Sequence, residues 1–187
     1  DFSIRQSIVD NAFKERDVHD GYKSRHYDHV DRLIAILPKP YNFIAQAQVE
    51  SGIRIEAIKR LKHMQFAGSA IDPCTGSKVF KIITKEKGGK EDATYLSQAI
   101  YSKLKSLKRK GYILNYQAYL KALQDACERI GISYHGSHGL RWSFARNRVR
   151  AYQRHGRNYG EALQLVSYEM KHNRPLITEH YLGIKRS

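Results

Sequence analysis

His138 and Arg141 lie three residues apart in a run, Ser137–Ala145, that reads as helical, so both side chains leave one helix face. Farther on, His172 and Tyr181 are nine residues apart, with Pro175 between them. A proline there ends one helix and opens the next, which predicts His172 at a helix end and Tyr181 inside a new helix. A guanidinium, two imidazoles and a phenol can converge on one anion, and a phosphodiester is the obvious one. A phenol of pKa about 10 is a poor nucleophile until its charge is stabilised. Arginine stabilises it by gripping phosphate oxygens bidentately, and an imidazole titrating near 6.5 suits proton transfer.

The order and spacing carry a family resemblance. His138-Gly139-Leu140-Arg141 resembles the H-x-x-R box of the tyrosine recombinases, the phage-integrase family. Lys171-His172 followed by Thr178-Glu179-His180-Tyr181-Leu182 resembles that family's G-H…T-x-x-Y-L ending, at the same nine-residue step. Gly52-Ile53-Arg54 is similar to its first arginine box, G-L-R-x-x-E. Ala57 stands where the acid belongs, and the nearest carboxylate is Glu56. Thr84-Lys85-Glu86-Lys87-Gly88-Gly89-Lys90 resembles the hairpin that delivers the family's lysine, K-G-x-K-x-R, with Asp92 in place of its arginine. Lys87, just before the glycines, is the candidate. Lys85 and Lys90 rival it, because one residue of register slip turns a side chain to the other face.

The resemblance implies a catalytic set of Arg54, Lys87, His138, Arg141, His172 and Tyr181, with Tyr181 as nucleophile. In those roles Arg54 and Arg141 clamp the phosphate, His172 adds a hydrogen bond, His138 exchanges a proton with Tyr181, and Lys87 protonates the departing 5′ oxygen. The product is a 3′-phosphotyrosyl link that a second DNA end reseals without ATP, metal or any other cofactor. A site-specific recombinase or integrase is therefore expected, with double-stranded DNA as partner. It also implies a homotetramer on DNA from a chain that is monomeric when free. Type IB topoisomerases use a similar set, and a non-catalytic basic DNA-binding protein is the alternative of another class. Taken singly, each residue has a plainer use: Arg54 covering a helix start, Lys87 a soluble turn, a histidine filling a structural place.

These residues need a frame. Helical periodicity predicts helices over 1–22, 26–37, 41–50, 54–61, 97–110, 115–130, 138–154, 158–171 and 176–185. Between Lys62 and Leu96 the character changes. Met64–Ala70, Lys78–Thr84 and Ala93–Leu96 are short, β-branched or aromatic, and punctuated by Asp72-Pro73, Thr75-Gly76 and Gly88-Gly89, which predicts a three-stranded antiparallel sheet. The fold class is thus α+β, mainly α, with one small sheet inserted. Leu140 and Phe144, four apart, are expected to anchor the 138–154 helix in the core and so aim His138 and Arg141.

Composition agrees with a DNA partner. Thirty-three Lys and Arg against 18 Asp and Glu leave +15 on 187 residues, while 41% apolar content is that of a folded globule. Lys103, Lys105, Lys108, Arg109 and Lys110 crowd one helix end, and Arg146, Arg148 and Arg150 follow the H-x-x-R box. With Lys85 and Lys90 they are the candidate phosphate contacts. No apolar run reaches the roughly 18 residues of a membrane span, so no membrane partner is expected. Cys74 and Cys127 make no disulfide framework, and with the histidines they show no metal-ligand spacing. Free thiols in a basic protein suit a reducing interior, and the expected place is the cytoplasm, with the nucleoid. Length argues for a single catalytic domain over 1–187. Residues 1–37 read as an N-terminal extension or linker, and the expectation from the resemblance is that the family's separate DNA-clamping N-terminal domain is not within these 187 residues.

Overall fold

The computed structural model describes residues 24–85, 91–172, 178, 179 and 182. The predicted helix over 1–22 and most of that over 176–185 lie outside them. In chain order come α1 (Val30–Ile36), α2 (Tyr41–Ser51), α3 (Ile55–Lys59) and a 3-10 turn (Leu61–His63). The strands β1 (Gln65–Ile71), β2 (Lys78–Lys85) and β3 (Glu91–Leu96) follow, and then α4 (Gln98–Arg109), α5 (Tyr116–Ile130), α6 (Gly136–Arg154) and α7 (Tyr159–Glu169).

The helix starts follow from local chemistry. Ser97 and Asn115 accept the amides of Ile100 and Ala118 through their side chains, satisfying donors that the first turn leaves unpaired. Asn158 and Glu161 form a reciprocal capping box at α7. One difference from the sequence reading lies at 26–37, where the helix starts only at Val30 and His26–His29 stay outside it; another lies at 54–61. The helix there stops at Lys59 and tightens into the 3-10 turn, which carries the chain into β1.

The sheet is antiparallel in the order β1-β2-β3. Phe80 pairs with Leu96, Ile82 with Thr94, Thr84 with Asp92 and Lys85 with Glu91, so residues 86–90 connect the last pair. Alternation buries Ile82, Thr84, Asp92, Thr94 and Leu96 on one face and leaves Lys85 exposed. Tyr101 of α4 fixes the sheet to the helices. It packs edge-to-face against Phe66 and tilted against Phe80, and its hydroxyl accepts the amide of Gly68.

Among the described residues two apolar clusters make up the core. The larger joins α1–α5 and the sheet through Leu33, Ile44, Ile58, Ile82, Leu104, Tyr119 and Leu123. The smaller joins α6 and α7 through Trp142, Phe144, Val149, Val166 and Met170. Helix α6 packs on α2, α5 and α7, and every residue from Gly139 to Ala145 is buried. Leu140 and Phe144, neighbours on one face, do anchor it, but in different clusters: Leu140 enters the larger and Phe144 the smaller. Cys127 is a fully buried small core residue.

Candidate active site

Helix α6 begins under a strap of irregular chain, residues 24–29. Tyr27, 3% exposed, accepts the amide of His135 and donates to the carbonyl of Gly136 through one hydroxyl. Its own amide donates to Ser143 Oγ, which in turn donates to the carbonyl of Gly139. A Cβ on Gly139 would lie 2.8 Å from the Tyr27 ring and 2.9 Å from the carbonyl oxygen of Arg25. Glycine within the H-x-x-R box is therefore what lets the strap close on the helix. His138, one residue earlier, opens to solvent, and Arg141 sits one turn on at 4% exposure.

Arg141 reaches across to the turn that carries the other arginine. Its Nη1 donates to the carbonyl of Gly52, and Nη2 donates to the carbonyl of Met170 at 3.4 Å. Gly52 ends α2 in the left-handed conformation, φ 63°, with its amide on Gln48. Ser51 Oγ donates to Ala47 and accepts from Ile53, while Gln48 Nε2 donates to the carbonyl of Ile53. The chain leaves this turn extended, so half-buried Arg54 stands at the start of α3, two residues from the carbonyl that Arg141 holds.

His172 is placed by the end of α7. Lys171 takes φ 56°, the His172 amide donates to the Ser167 carbonyl at 2.9 Å, and the Lys171 amide donates to Tyr168 at 3.0 Å. This is the Schellman pattern of a terminated helix. Ser167 Oγ also donates to the His172 carbonyl, and the ring nitrogen Nδ1 lies 3.1 Å from Thr178 Oγ1.

Electrostatics tie the four groups together. Burial pushes His172 down to about 4, helped by the charges of Arg141 and Arg54 and by His138. His138 is also lowered, first by partial desolvation and then by Arg141, Arg25 and Arg54. Both imidazoles are thus neutral at neutral pH beside two guanidiniums, and the site offers net positive charge with neutral donors and acceptors around it. An entering oxyanion is attracted by that charge and makes imidazole protonation easier. Sequence reasoning placed His138 near its ordinary value; the flanking cations and desolvation move it below.

Thr178 and Glu179 of the T-x-x-Y-L segment are buried, and Leu182 donates its amide to Glu179 and packs on the smaller cluster. Tyr181 itself, and Lys87 and Lys90, lie outside the described residues. Lys85 stands exposed at the end of β2.

The candidate phosphate contacts divide. Lys103, Lys105, Arg109, Lys110 and Arg150 are exposed, and Arg150 lines an open groove on α6 with Asn147, Gln153 and Arg154. Lys108 instead donates to the Met64 carbonyl at 2.7 Å, and the Arg146 guanidinium is hydrogen-bonded to the His26 ring. Arg148 corrects the sequence reading. It donates from Nε and Nη2 to Glu169 and from Nη1 and Nη2 to Asp72, at 2.7–3.0 Å, with its side chain 13% exposed. Tyr152 donates to the same Glu169. The Arg148 guanidinium is committed to bracing the β1–β2 turn against α7, not to a phosphate. The pairing was invisible in the sequence, where Asp72 and Glu169 lie far from Arg148.

Among the described residues no group of three His, Cys, Asp or Glu is arranged to hold a metal, and no helix is long and apolar enough to cross a membrane.

No protein-family model matches the sequence, nor does any curated protein. Solved structures do match. The XerH site-specific recombinase bound to palindromic difH substrate, a post-cleavage complex, aligns with TM-score 0.58 and 17% identity over 83% of this chain and 48% of that one. The pre-cleavage complex of XerH with difH aligns with TM-score 0.59 and 17% identity over 84% and 50%. This chain spans about half the length of those recombinase chains. At such identity the likeness concerns architecture, and it agrees with the expectation drawn from the boxes: the chain has the fold of a tyrosine-recombinase catalytic domain.

Proposed function

We propose that this chain is the catalytic part of a site-specific DNA recombinase that breaks and rejoins strands through a covalent 3′-phosphotyrosine. The observation that carries the reading is the convergence of Arg54, His138, Arg141 and His172 on one cationic site, within a fold shared with DNA-bound recombinases.

In this reading Arg54 and Arg141 neutralise the non-bridging oxygens of the scissile phosphodiester, stabilising the charge that builds up on attack. The carbonyls of Gly52 and Met170 hold Arg141 in place before substrate arrives, so little reorganisation is left for the chemical step. His172, neutral and fixed through Thr178, donates a hydrogen bond to the phosphate. His138, neutral in the free protein and open to solvent, accepts the phenolic proton of Tyr181 as the oxygen attacks phosphorus. The 5′ oxygen leaves with a proton from a lysine of the β2–β3 hairpin, Lys87 first among Lys85, Lys87 and Lys90. The phosphodiester energy is kept in the tyrosyl link, and attack by a 5′-hydroxyl reverses the step.

Double-stranded DNA is the partner, gripped by Lys103, Lys105, Arg109, Lys110 and Arg150, with assembly into a tetramer on DNA and a location with the nucleoid. The test is incubation of the protein in EDTA with nicked duplex drawn from the DNA flanking its gene. A covalent protein–DNA band on a denaturing gel that is lost in Arg141→Ala supports the reading. Salt-sensitive binding without any covalent band contradicts it.

A further inference from the structure

Lys171 occupies a left-handed backbone conformation, φ 56°, at the one position of the α7 terminus where glycine fits without strain. A non-glycine residue held there points to a use for its side chain. That side chain reaches Asp92: Lys171 Nζ lies 3.0 Å from Asp92 Oδ1. Asp92 is 8% exposed on the inward face of β3, among Ile82, Thr84, Thr94 and Leu96, where a carboxylate needs compensating charge. It pairs with Thr84, one register step from the Lys85–Glu91 pair that ends the hairpin. On the other side of the ion pair, the residue next to Lys171 is His172.

We propose that Lys171 and Asp92 are positioning residues: their ion pair sets the distance between the Lys85–Glu91 end of the hairpin and the turn that carries His172. The inference rests on the catalytic reading given above. It makes the pair a strut between the element that supplies the lysine and the element that grips the phosphate. Neither side chain touches substrate, and both act through their neighbours.

Removing the strut separates fold from function. Lys171→Gly takes up the same φ without strain, which offsets the charge compensation that Asp92 loses, so its melting temperature stays near the wild-type one. In single-turnover cleavage of the nicked duplex it and Asp92→Asn slow by roughly tenfold, the scale expected when a reacting group is slightly misplaced. DNA affinity stays within about twofold, because no phosphate contact is lost. The charge swap Lys171→Asp with Asp92→Lys recovers most of the rate. Cleavage by Lys171→Gly at the wild-type rate overturns the proposal, as does a slowed variant that the swap fails to restore. A second readout needs no catalysis. Amide exchange at Lys85 and at residues 91–93 rises in Lys171→Gly if the ion pair tethers the strand end, and unchanged exchange overturns it. Absence of a covalent band with the wild type refutes the catalytic reading instead, leaving the exchange measurement to judge the strut.

Discussion

The ring of Phe144 fills the space that a Cβ on Gly52 would need: that atom would stand 2.5 Å from Cδ1 and 2.8 Å from Cε1. One glycine thus serves the α2 terminus, the packing of α6 and the carbonyl that holds Arg141. Gly52→Ala adds a left-handed strain to a clash with a buried ring, which lowers stability by about 2–4 kcal/mol. Urea unfolding measures the loss. Cleavage should fall further than stability does, because the turn that moves also carries Arg54.

His172 gives a pH signature. Its folded pKa is about 4, against about 6.5 when unfolded. Acid therefore favours the unfolded chain. The contribution is level above pH 6.5 and is lost as pH falls from 6.5 through 4, amounting to roughly 3 kcal/mol. Depressed His138 adds to it in the same direction, below its own unfolded pKa. Unfolding titrations of wild type and His172→Gln should differ in slope by about one proton across that window. Parallel curves would show that His172 does not titrate there.

Arg148 and Arg150, two residues apart on one helix, should fail differently. Arg148→Ala leaves the partly buried carboxylates of Asp72 and Glu169 uncompensated and costs about 3 kcal/mol. Its effect on the salt dependence of DNA binding should be nil. Arg150→Ala, at an exposed position, leaves stability unchanged and lowers the slope of log affinity against log salt by about 0.9.

The Tyr27 hydroxyl satisfies two backbone groups at the start of α6. Tyr27→Phe leaves the His135 amide and the Gly136 carbonyl without it and costs about 1–3 kcal/mol. Calorimetry reads that loss. A melting temperature unchanged from wild type would show that the strap does not hold the helix.

Much of this was legible in the sequence because the signals are local. The H-x-x-R spacing and the i, i+4 pair Leu140 and Phe144 lie within one helix, and that helix forms at Gly136–Arg154. The helices predicted from 97, 115 and 158 do start there, and the structure supplies the reason in the capping side chains of Ser97, Asn115 and Asn158. The β-branched and aromatic runs with Gly and Pro punctuation give the three strands. What escaped depends on distant partners. Arg148 reads as one more phosphate contact until the fold brings Asp72, 76 residues away, against it. Tyr27 is one of 13 tyrosines, and its two backbone partners lie 108 and 109 residues on. The strain at Lys171 cannot be seen without backbone angles, since periodicity reports which face a residue occupies and not its φ.

The central claim is that Tyr181 becomes covalently linked to DNA, and peptide mapping of the adduct tests it most directly. Trypsin cuts after Lys171 and Lys185 but not between Arg174 and Pro175, so one peptide, 172–185, carries Tyr181. Mass spectrometry of nuclease-trimmed adduct should find the phosphonucleoside on that peptide at Tyr181, with Tyr181→Phe yielding no adduct. A nucleotide on Tyr159, Tyr168 or any other residue, or a Tyr181→Phe protein that still forms the adduct, would contradict the account.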